Sequence, residues 1–215
     1  AVLTAVLLIA RRLRRADDGE AVRRDMERRL ERNPRDVEAL QALADLSWRA
    51  GAWHDAGERY GRLLDLVGME PGVDETTATV RRGAAAWRQG RLEDAYRDLV
   101  VARVKDKTSL EAAYYLGCVE EARGEHEKAA ACLQAACELD PGHSDAARML
   151  GLCLARAKRF RDALPHLQRA VDLLPEDSQA RFALGQALHA TERPAEAVAC
   201  LAPLHADPQF GPAAA

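Results

Sequence analysis

Aromatic residues are scarce in this sequence, and strand-forming patterns are nearly absent. Phe, Trp and Tyr make up 5% of the 215 residues. Strand-forming residues are thinly spread and never alternate with polar ones for long, which argues against a sheet. Ala, Leu, Arg and Glu dominate instead, and these side chains lose little rotamer freedom in a helix. The composition therefore predicts an all-α protein.

The chain also lacks an excess of either charge. Its 31 Lys and Arg residues against 34 Asp and Glu give a net charge of −3. Without a basic surface there is no long-range attraction for a phosphate backbone. We therefore predict no nucleic-acid partner.

Catalytic and cofactor-binding motifs are missing. The sequence contains no phosphate-binding loop, no dinucleotide-binding glycine pattern, no metalloprotease helix motif and no nucleophile elbow. Its six histidines lie in six separate places, and its carboxylates stand mostly where helical arginines can pair with them. The sequence predicts a protein that is not an enzyme and has no cofactor.

The five cysteines show no metal-binding or disulfide pattern. There is no C-x-x-C, the count is odd, and His126 and His143 do not provide convergent spacing. We expect no metal site, and small buried thiols in a reducing compartment. These residues are Cys118, Cys132, Cys137, Cys153 and Cys200.

A 34-residue repeat organises much of the chain. A Leu-Gly pair recurs at this period, and an Ala follows each Gly after twelve residues. Small residues at these two positions let a pair of helices approach closely, so each unit is predicted to be a helix–turn–helix. The clearest copies are Leu116-Gly117 with Ala129, Leu150-Gly151 with Ala163, and Leu184-Gly185 with Ala197.

Turn and joint signals recur at the same period. Glycine at the centre of the first three units fits a left-handed helix end, whereas Lys158 and Glu192 hold this place in the last two. Pro141 and Pro175 end one unit, and we expect a nearby serine to cap the next helix. The glycines are Gly51, Gly90 and Gly124, and the expected caps are Ser144 and Ser178. Large side chains just after the turn are predicted to fill the gap between the two helices of a unit: Trp53, Leu92, His126 and Phe160.

This Leu-Gly, Ala and Pro pattern resembles the tetratricopeptide repeat (TPR) family over about residues 37–209. The resemblance implies an all-α, right-handed superhelical solenoid of about five helix–turn–helix repeats. Two departures stand out: Arg82 replaces an expected Leu, which allows a kinked or looser first helix there, and Pro165 falls inside a predicted second helix, which it should bend. The predicted repeats are 37–67, 76–109, 110–143, 144–177 and 178–209, with a further repeat beginning at 210–215.

The N-terminal segment suggests a membrane anchor. Residues 1–17 join an uncharged apolar stretch to an arginine-rich flank, which fits part of a transmembrane helix with that flank in the cytoplasm. An interfacial amphipathic anchor and an ordinary packed helix are the alternatives. Residues 18–34 are predicted to form a lead-in helix, with an apolar seam of Val22, Met26 and Leu30. By resemblance to anchored bacterial TPR proteins, we expect the repeats on the cytoplasmic side of a bacterial inner membrane.

In the family, the first helix of each repeat lines a concave groove. The Asn positions of the carboxylate clamp in chaperone-binding relatives hold other residues here, including Asp45 and Ala84. Aromatic and Arg side chains at groove positions favour binding an apolar and acidic protein segment, although the tryptophans could instead only pack. The predicted groove residues are Trp48, Arg49, Trp87, Arg88, Tyr114, Arg148, Arg156 and Phe182.

The sequence thus predicts a non-catalytic protein–protein interaction scaffold or adaptor, anchored to a membrane through its N-terminal segment. The alternatives are a regulatory TPR region of a larger enzyme or an envelope-assembly factor. A soluble co-chaperone is disfavoured because the clamp residues are missing. No oligomeric state is predicted.

Overall fold

The computed structural model describes residues 19–206, and helices make up most of them. No strand occurs within this range, so the all-α prediction is confirmed. Residues 19–32 form α1. The helices that follow are α2 (Val37–Arg49), α3 (Trp53–Asp65), α4 (Glu75–Arg88), α5 (Leu92–Lys105), α6 (Leu110–Ala122), α7 (His126–Leu139), α8 (Ser144–Arg156), α9 (Phe160–Leu173), α10 (Ser178–Ala190) and α11 (Pro194–Leu201), followed by a 3₁₀ helix, Ala202–Ala206.

The predictions for the two ends fall on residues that are not described. The apolar segment with its arginine flank, 1–17, and the start of a further repeat, 210–215, both lie outside residues 19–206. None of the helices within that range combines the length and apolarity needed to cross a bilayer.

The chain divides after Ala102 into two compact units. In the first unit the core is built from α2 and α3, with Leu40, Tyr60 and Leu63 fully buried. Leu30 of α1 packs against this core, so the end of the lead-in helix is fixed. The predicted seam is buried only towards that end, since Val22 is 46% exposed.

Arg82, the departure from the repeat pattern, forms an ion pair instead of loosening its helix. Its Nε and Nη2 atoms each donate to a carboxylate oxygen of Asp98 on α5, both at 2.7 Å. This hydrogen bonding raises the pKa of Arg82 above its ordinary value. The helix α4 runs without a break from Glu75 to Arg88, and Arg82 lies within it. A bidentate pair here replaces the expected Leu contact.

The repeated glycines bring helices into close contact, as the sequence predicts, and the nearest side chain at each of them is a leucine. A Cβ built on Gly151 would lie 2.9 Å from Cγ and Cδ2 of Leu167, and one on Gly117 would lie 2.6 Å from Cγ of Leu133. In both cases the nearest side chain is a leucine sixteen residues on, and at Gly117 the carbonyl oxygen of Ala129, the alanine at twelve, also lies 3.3 Å away. The same spacing relates Gly83 to Leu99 and Gly185 to Leu201.

All five turns inside the repeats share one geometry. The central residue has a positive φ, including Lys158 at 59° and Glu192 at 61°. The next residue donates its N–H to a carbonyl near the end of the preceding helix, as Arg159 does to Leu154 at 2.9 Å. This is the hydrogen bond of a Schellman helix end. The three glycine turns predicted from the sequence are confirmed, with φ of 71° at Gly51, 75° at Gly90 and 79° at Gly124.

Lys158 and Glu192 should therefore be strained, and replacing each with glycine should stabilise the protein. We expect Lys158→Gly and Glu192→Gly each to raise the free energy of unfolding by about 0.5–1 kcal/mol, because glycine has no Cβ to clash at positive φ. Thermal and urea melts measure the change. Lys158→Ala is the control, since it removes the same charge but keeps the Cβ. A glycine variant no more stable than the alanine variant would contradict the prediction.

The helix caps lie one residue before the predicted serines. Asp177 Oδ1 accepts the N–H of Ala180 at 3.0 Å, and His143 Nδ1 accepts that of Ala146 at 3.1 Å. Ser144 and Ser178 are instead the first residues of α8 and α10, so the predicted serine caps are wrong. A residue within the helix cannot accept a bond from its first turn in this way.

Pro165 lies inside α9, which continues past it to Leu173. A proline within a helix removes one backbone hydrogen bond. The side chain is exposed. The bend expected there stays a prediction.

Candidate functional site

All three tryptophans of the chain lie in one cluster in the first unit. The rings of Trp48 and Trp53 meet edge to face, with centroids 5.2 Å apart. The Arg81 guanidinium carbon lies 4.6 Å from the centroid of the Trp48 ring. That of Arg88 lies 5.3 Å from the Trp53 ring and 4.6 Å from the Trp87 ring. We call these five residues the Trp–Arg cluster.

Local structure explains how the cluster forms. The left-handed turn at Gly51 reverses the chain between α2 and α3, which brings Trp53 back against Trp48. Arg81 and Arg88 are seven residues apart on α4, and two helical turns put them on the same side. Each stacked guanidinium contributes about 0.5–1 kcal/mol at an exposed site.

Three of the cluster residues were predicted at groove positions, and two were not. Trp48, Trp87 and Arg88 are in the predicted set, and Trp48 also packs against the core of the first unit. The sequence pattern predicts only that Trp53 fills the gap between two helices, and it gives Arg81 no role. The seven-residue spacing of Arg81 and Arg88 was a usable signal.

Arg88 is the most available cation of the cluster. Its side chain is exposed, and within residues 19–206 it forms no hydrogen bond or ion pair. Arg49, at the matching place in the last turn of α2, is also exposed. Asp45, the acid one helical turn before Arg49, accepts hydrogen bonds from the Tyr60 hydroxyl at 2.7 Å and from Gln41 Nε2 at 3.1 Å. Asp45 is thus engaged within its own repeat.

The predicted arginines of the second unit are paired with acids. Arg148 donates to Asp177, the residue that caps α10, and Arg156 pairs with Glu121 on α6. Burial acts to raise the pKa of Asp177, but the Ala180 N–H and the Arg148 guanidinium outweigh it and hold that pKa below its ordinary value. These arginines join neighbouring repeats of the second unit.

The predicted aromatic residues of the second unit are half-buried. The Tyr114 ring lies 5.2 Å from that of Tyr115 and 4.9 Å from that of His143. Burial raises the pKa of the Tyr114 hydroxyl above its ordinary range. Phe182 lies on α10 and is also half-buried. For Tyr114, packing accounts for the contacts seen.

Two surface clefts lie on the second-helix side of the repeats, away from the predicted residues. In the first unit, a cleft of about 420 Å³ between α3 and α5 is lined by charged side chains, among them Arg82, Asp94 and Asp98. In the second unit, a cleft of about 580 Å³ lies between α7 and α9, with Leu150 and Leu154 among its lining residues. Neither was predicted from the sequence.

The cysteines are free thiols, and in the part of the chain that the structure describes no group of His, Cys, Asp and Glu could hold a metal ion. Burial raises the pKa of Cys153 to about 12. A thiol in this state does not ionise at neutral pH and is a weak nucleophile, so Cys153 acts in packing.

Two comparisons with known sequences bear on the fold and the repeats. The family profile described as Tetratricopeptide repeat matches residues 110–143, and a second profile of the same description matches 149–209. Residues 110–143 and 149–209 are thus tetratricopeptide repeats. Comparison with curated protein sequences finds no match.

Solved TPR structures share the fold of the chain. It aligns with YrrB, a TPR protein with an unusual peptide-binding site, at 20% identity over 88% of this chain and 96% of that one, with a TM-score of 0.70. A crystal structure of MamA aligns at 25% identity over 74% and 90% of the two chains, with a TM-score of 0.62. MamA from Desulfovibrio magneticus RS-1 aligns at 17% identity over 78% and 92%, with a TM-score of 0.66.

The TPR repeats of this chain support a role in protein–protein interaction. TPR proteins are typically non-catalytic interaction modules. The partner is therefore a protein or a peptide.

Proposed function

We propose that this TPR protein is a non-catalytic scaffold that binds a segment of a partner protein along the first helices of its repeats. The observation that carries this proposal is the Trp–Arg cluster of the first unit. Trp and Arg are the residue types that most often dominate binding energy at interfaces. Here they lie together, half-buried or exposed, with rings and guanidinium groups held in place by one another.

Two further observations support a peptide-binding role. YrrB, which shares the fold, is a TPR protein with a peptide-binding site. The cluster also joins α2, α3 and α4, so a segment lying on it would contact more than one repeat. Extended or helical segments are the usual ligands of grooves formed by such elements.

Within the second unit, the predicted groove residues offer shape and apolar contact more than free charge. Tyr114, Arg148 and Arg156 are engaged with neighbours in that unit, and Phe182 is half-buried. Membrane anchoring through residues 1–17, with the repeats on the cytoplasmic side, stays a prediction from the sequence.

Peptide selection followed by indole spectroscopy tests the proposal. The whole chain is used to select binders from a random peptide library, and the three indole N–H signals are then followed by nuclear magnetic resonance as peptide is added. Because every tryptophan lies in the cluster, these signals report on this site alone. We expect the Trp53 and Trp87 signals to shift with the bound fraction. Selected peptides that bind without moving any indole signal would place the binding site elsewhere.

A further inference from the structure

We propose that the Trp–Arg cluster selects acidic side chains: Arg88, held over the rings of Trp53 and Trp87, binds an Asp or Glu carboxylate of the partner segment. This inference rests on the proposed function and names the chemistry that the first unit recognises. Three features of the structure support it.

The first feature is the way in which Arg88 is held. Its guanidinium lies over two indole rings, at 5.3 Å and 4.6 Å from their centroids. A cation–π contact rests on the charge of the guanidinium and does not require any of its five N–H donors. These donors form no hydrogen bond among residues 19–206, so Arg88 keeps them for a ligand. Because the side chain is already ordered, binding costs it less conformational entropy than a free arginine would lose.

The second feature is the contrast between the two units. In the second unit, the two predicted groove arginines, Arg148 and Arg156, are neutralised by Asp177 and Glu121. In the first, neither Arg49 nor Arg88 has an acidic partner among residues 19–206. The carboxylate of Asp45 is engaged by neighbours on α2 and α3. The first-helix surface of the first unit is therefore cationic, and a complementary segment is acidic.

The third feature is the surrounding apolar surface. The rings of Trp53 and Trp87 flank the Arg88 guanidinium and are only half-buried. Ring surface beside the ion pair limits access of water and strengthens the charged hydrogen bonds. It also favours a ligand with apolar side chains next to its acids. The matching ligand is thus a segment in which Asp or Glu alternates with apolar residues.

The carboxylates are those of side chains rather than of a chain terminus. Exposed arginines recur at two places on this surface, Arg49 in the last turn of α2 and Arg88 in the last turn of α4. A chain terminus brings a single carboxylate, whereas an acidic segment can supply one to each arginine. Amidating the C-terminus of a bound peptide should therefore leave its affinity unchanged.

Peptides selected on the whole chain serve as the probes, and tryptophan fluorescence measures their affinity. We expect Asp and Glu to be enriched among them. Changing one such residue to its amide should weaken binding about tenfold, the usual size of one charged hydrogen-bonded contact. Arg88→Gln should weaken binding of the acidic peptide about as much and should remove most of the difference between acid and amide. Arg97→Gln, which removes the same charge from the exposed side of α5, is the control and should change neither affinity.

Each outcome decides between the two proposals. Peptides that move the indole signals but bind equally well as acid and amide would overturn the acidic selection and leave the scaffold role in place. An acid–amide difference that persists in Arg88→Gln, or is matched by Arg97→Gln, would also overturn it. Loss of affinity on C-terminal amidation would make the chain terminus the ligand, contrary to the proposal. Failure to select any binder would count against the scaffold role itself.

Discussion

Gly151→Leu should lower the free energy of unfolding by about 3 kcal/mol, the upper end of the usual range for an overpacked core site. A Cβ at residue 151 would lie 2.9 Å from two side-chain carbons of Leu167 and 3.1 Å from its backbone nitrogen. The side chain of Leu167 could change rotamer, but its backbone cannot move unless α8 and α9 separate. The higher helix propensity of leucine recovers only about 1 kcal/mol. Thermal and urea melts measure the loss.

Gly61→Leu is the matched control for this substitution. Gly61 also lies within a helix, α3, but a Cβ there would meet only Cδ of Arg82 at 3.8 Å, an ordinary contact. We expect its stability to stay the same or rise by up to about 1 kcal/mol, because leucine favours the helix more than glycine does. Equal melting temperatures for the Gly151→Leu variant and the unchanged protein would show that α8 and α9 do not pack in this way.

The repeat could be predicted from the sequence because close packing of its two helices requires small residues at fixed positions in every unit. Two helices meet closely only where a side chain is missing, so the Leu-Gly pairs and the positive-φ turns had to recur at one period. The partner of each glycine was harder to assign. Both the alanine at twelve residues and the leucine at sixteen recur with that period, as Ala163 and Leu167 show. Which of them lies against Gly151 depends on how the second helix is rotated about its own axis, and in the structure it is Leu167.

The electrostatic details could not be read from the pattern. The repeat pattern marks Arg82 only as a departure, because its partner, Asp98, lies on the next helix beside Leu99, the residue against Gly83. Arg148 and Arg156 looked like free cations, because their acids, Asp177 and Glu121, belong to neighbouring repeats. Ion pairs between repeats join residues roughly one period apart, so testing each arginine against acids at that distance would have suggested both pairs.

The contacts within the Trp–Arg cluster could likewise not be predicted from the sequence pattern. The recurrence of Trp-Arg at residues 48–49 and 87–88 was visible in the sequence. The pairing of Arg88 with Trp53 depends on the turn at Gly51 and on side-chain rotamers, neither of which spacing encodes. Tryptophans placed in this way can bind, pack or do both, and Trp48 does pack against its core. Substitution separates these roles.

Replacing both Trp87 and Arg88 with alanine should abolish peptide binding while leaving the fold nearly unchanged. Two interface anchors of this kind cost at least about 2 kcal/mol each, so affinity should fall about a thousandfold. If the pair only packs, stability should instead fall by about 3 kcal/mol or more through lost buried area. Melts and fluorescence titrations on one variant, with a peptide selected on the unchanged protein, measure both quantities.

The chain offers a matched control for this double substitution in Tyr96-Arg97 on α5, an aromatic residue followed by an arginine on the second helix of the same repeat. Tyr96 is half-buried and Arg97 exposed, as Trp87 and Arg88 are. Changing Tyr96 and Arg97 to alanine should lower stability at least as much as the first-helix variant does, yet leave peptide affinity intact. Equal loss of affinity in both variants would mean that disturbed packing, rather than lost contacts, weakens binding. Full affinity in the Trp87, Arg88 variant, together with a large loss of stability, would leave the second-helix clefts as the surface for the partner.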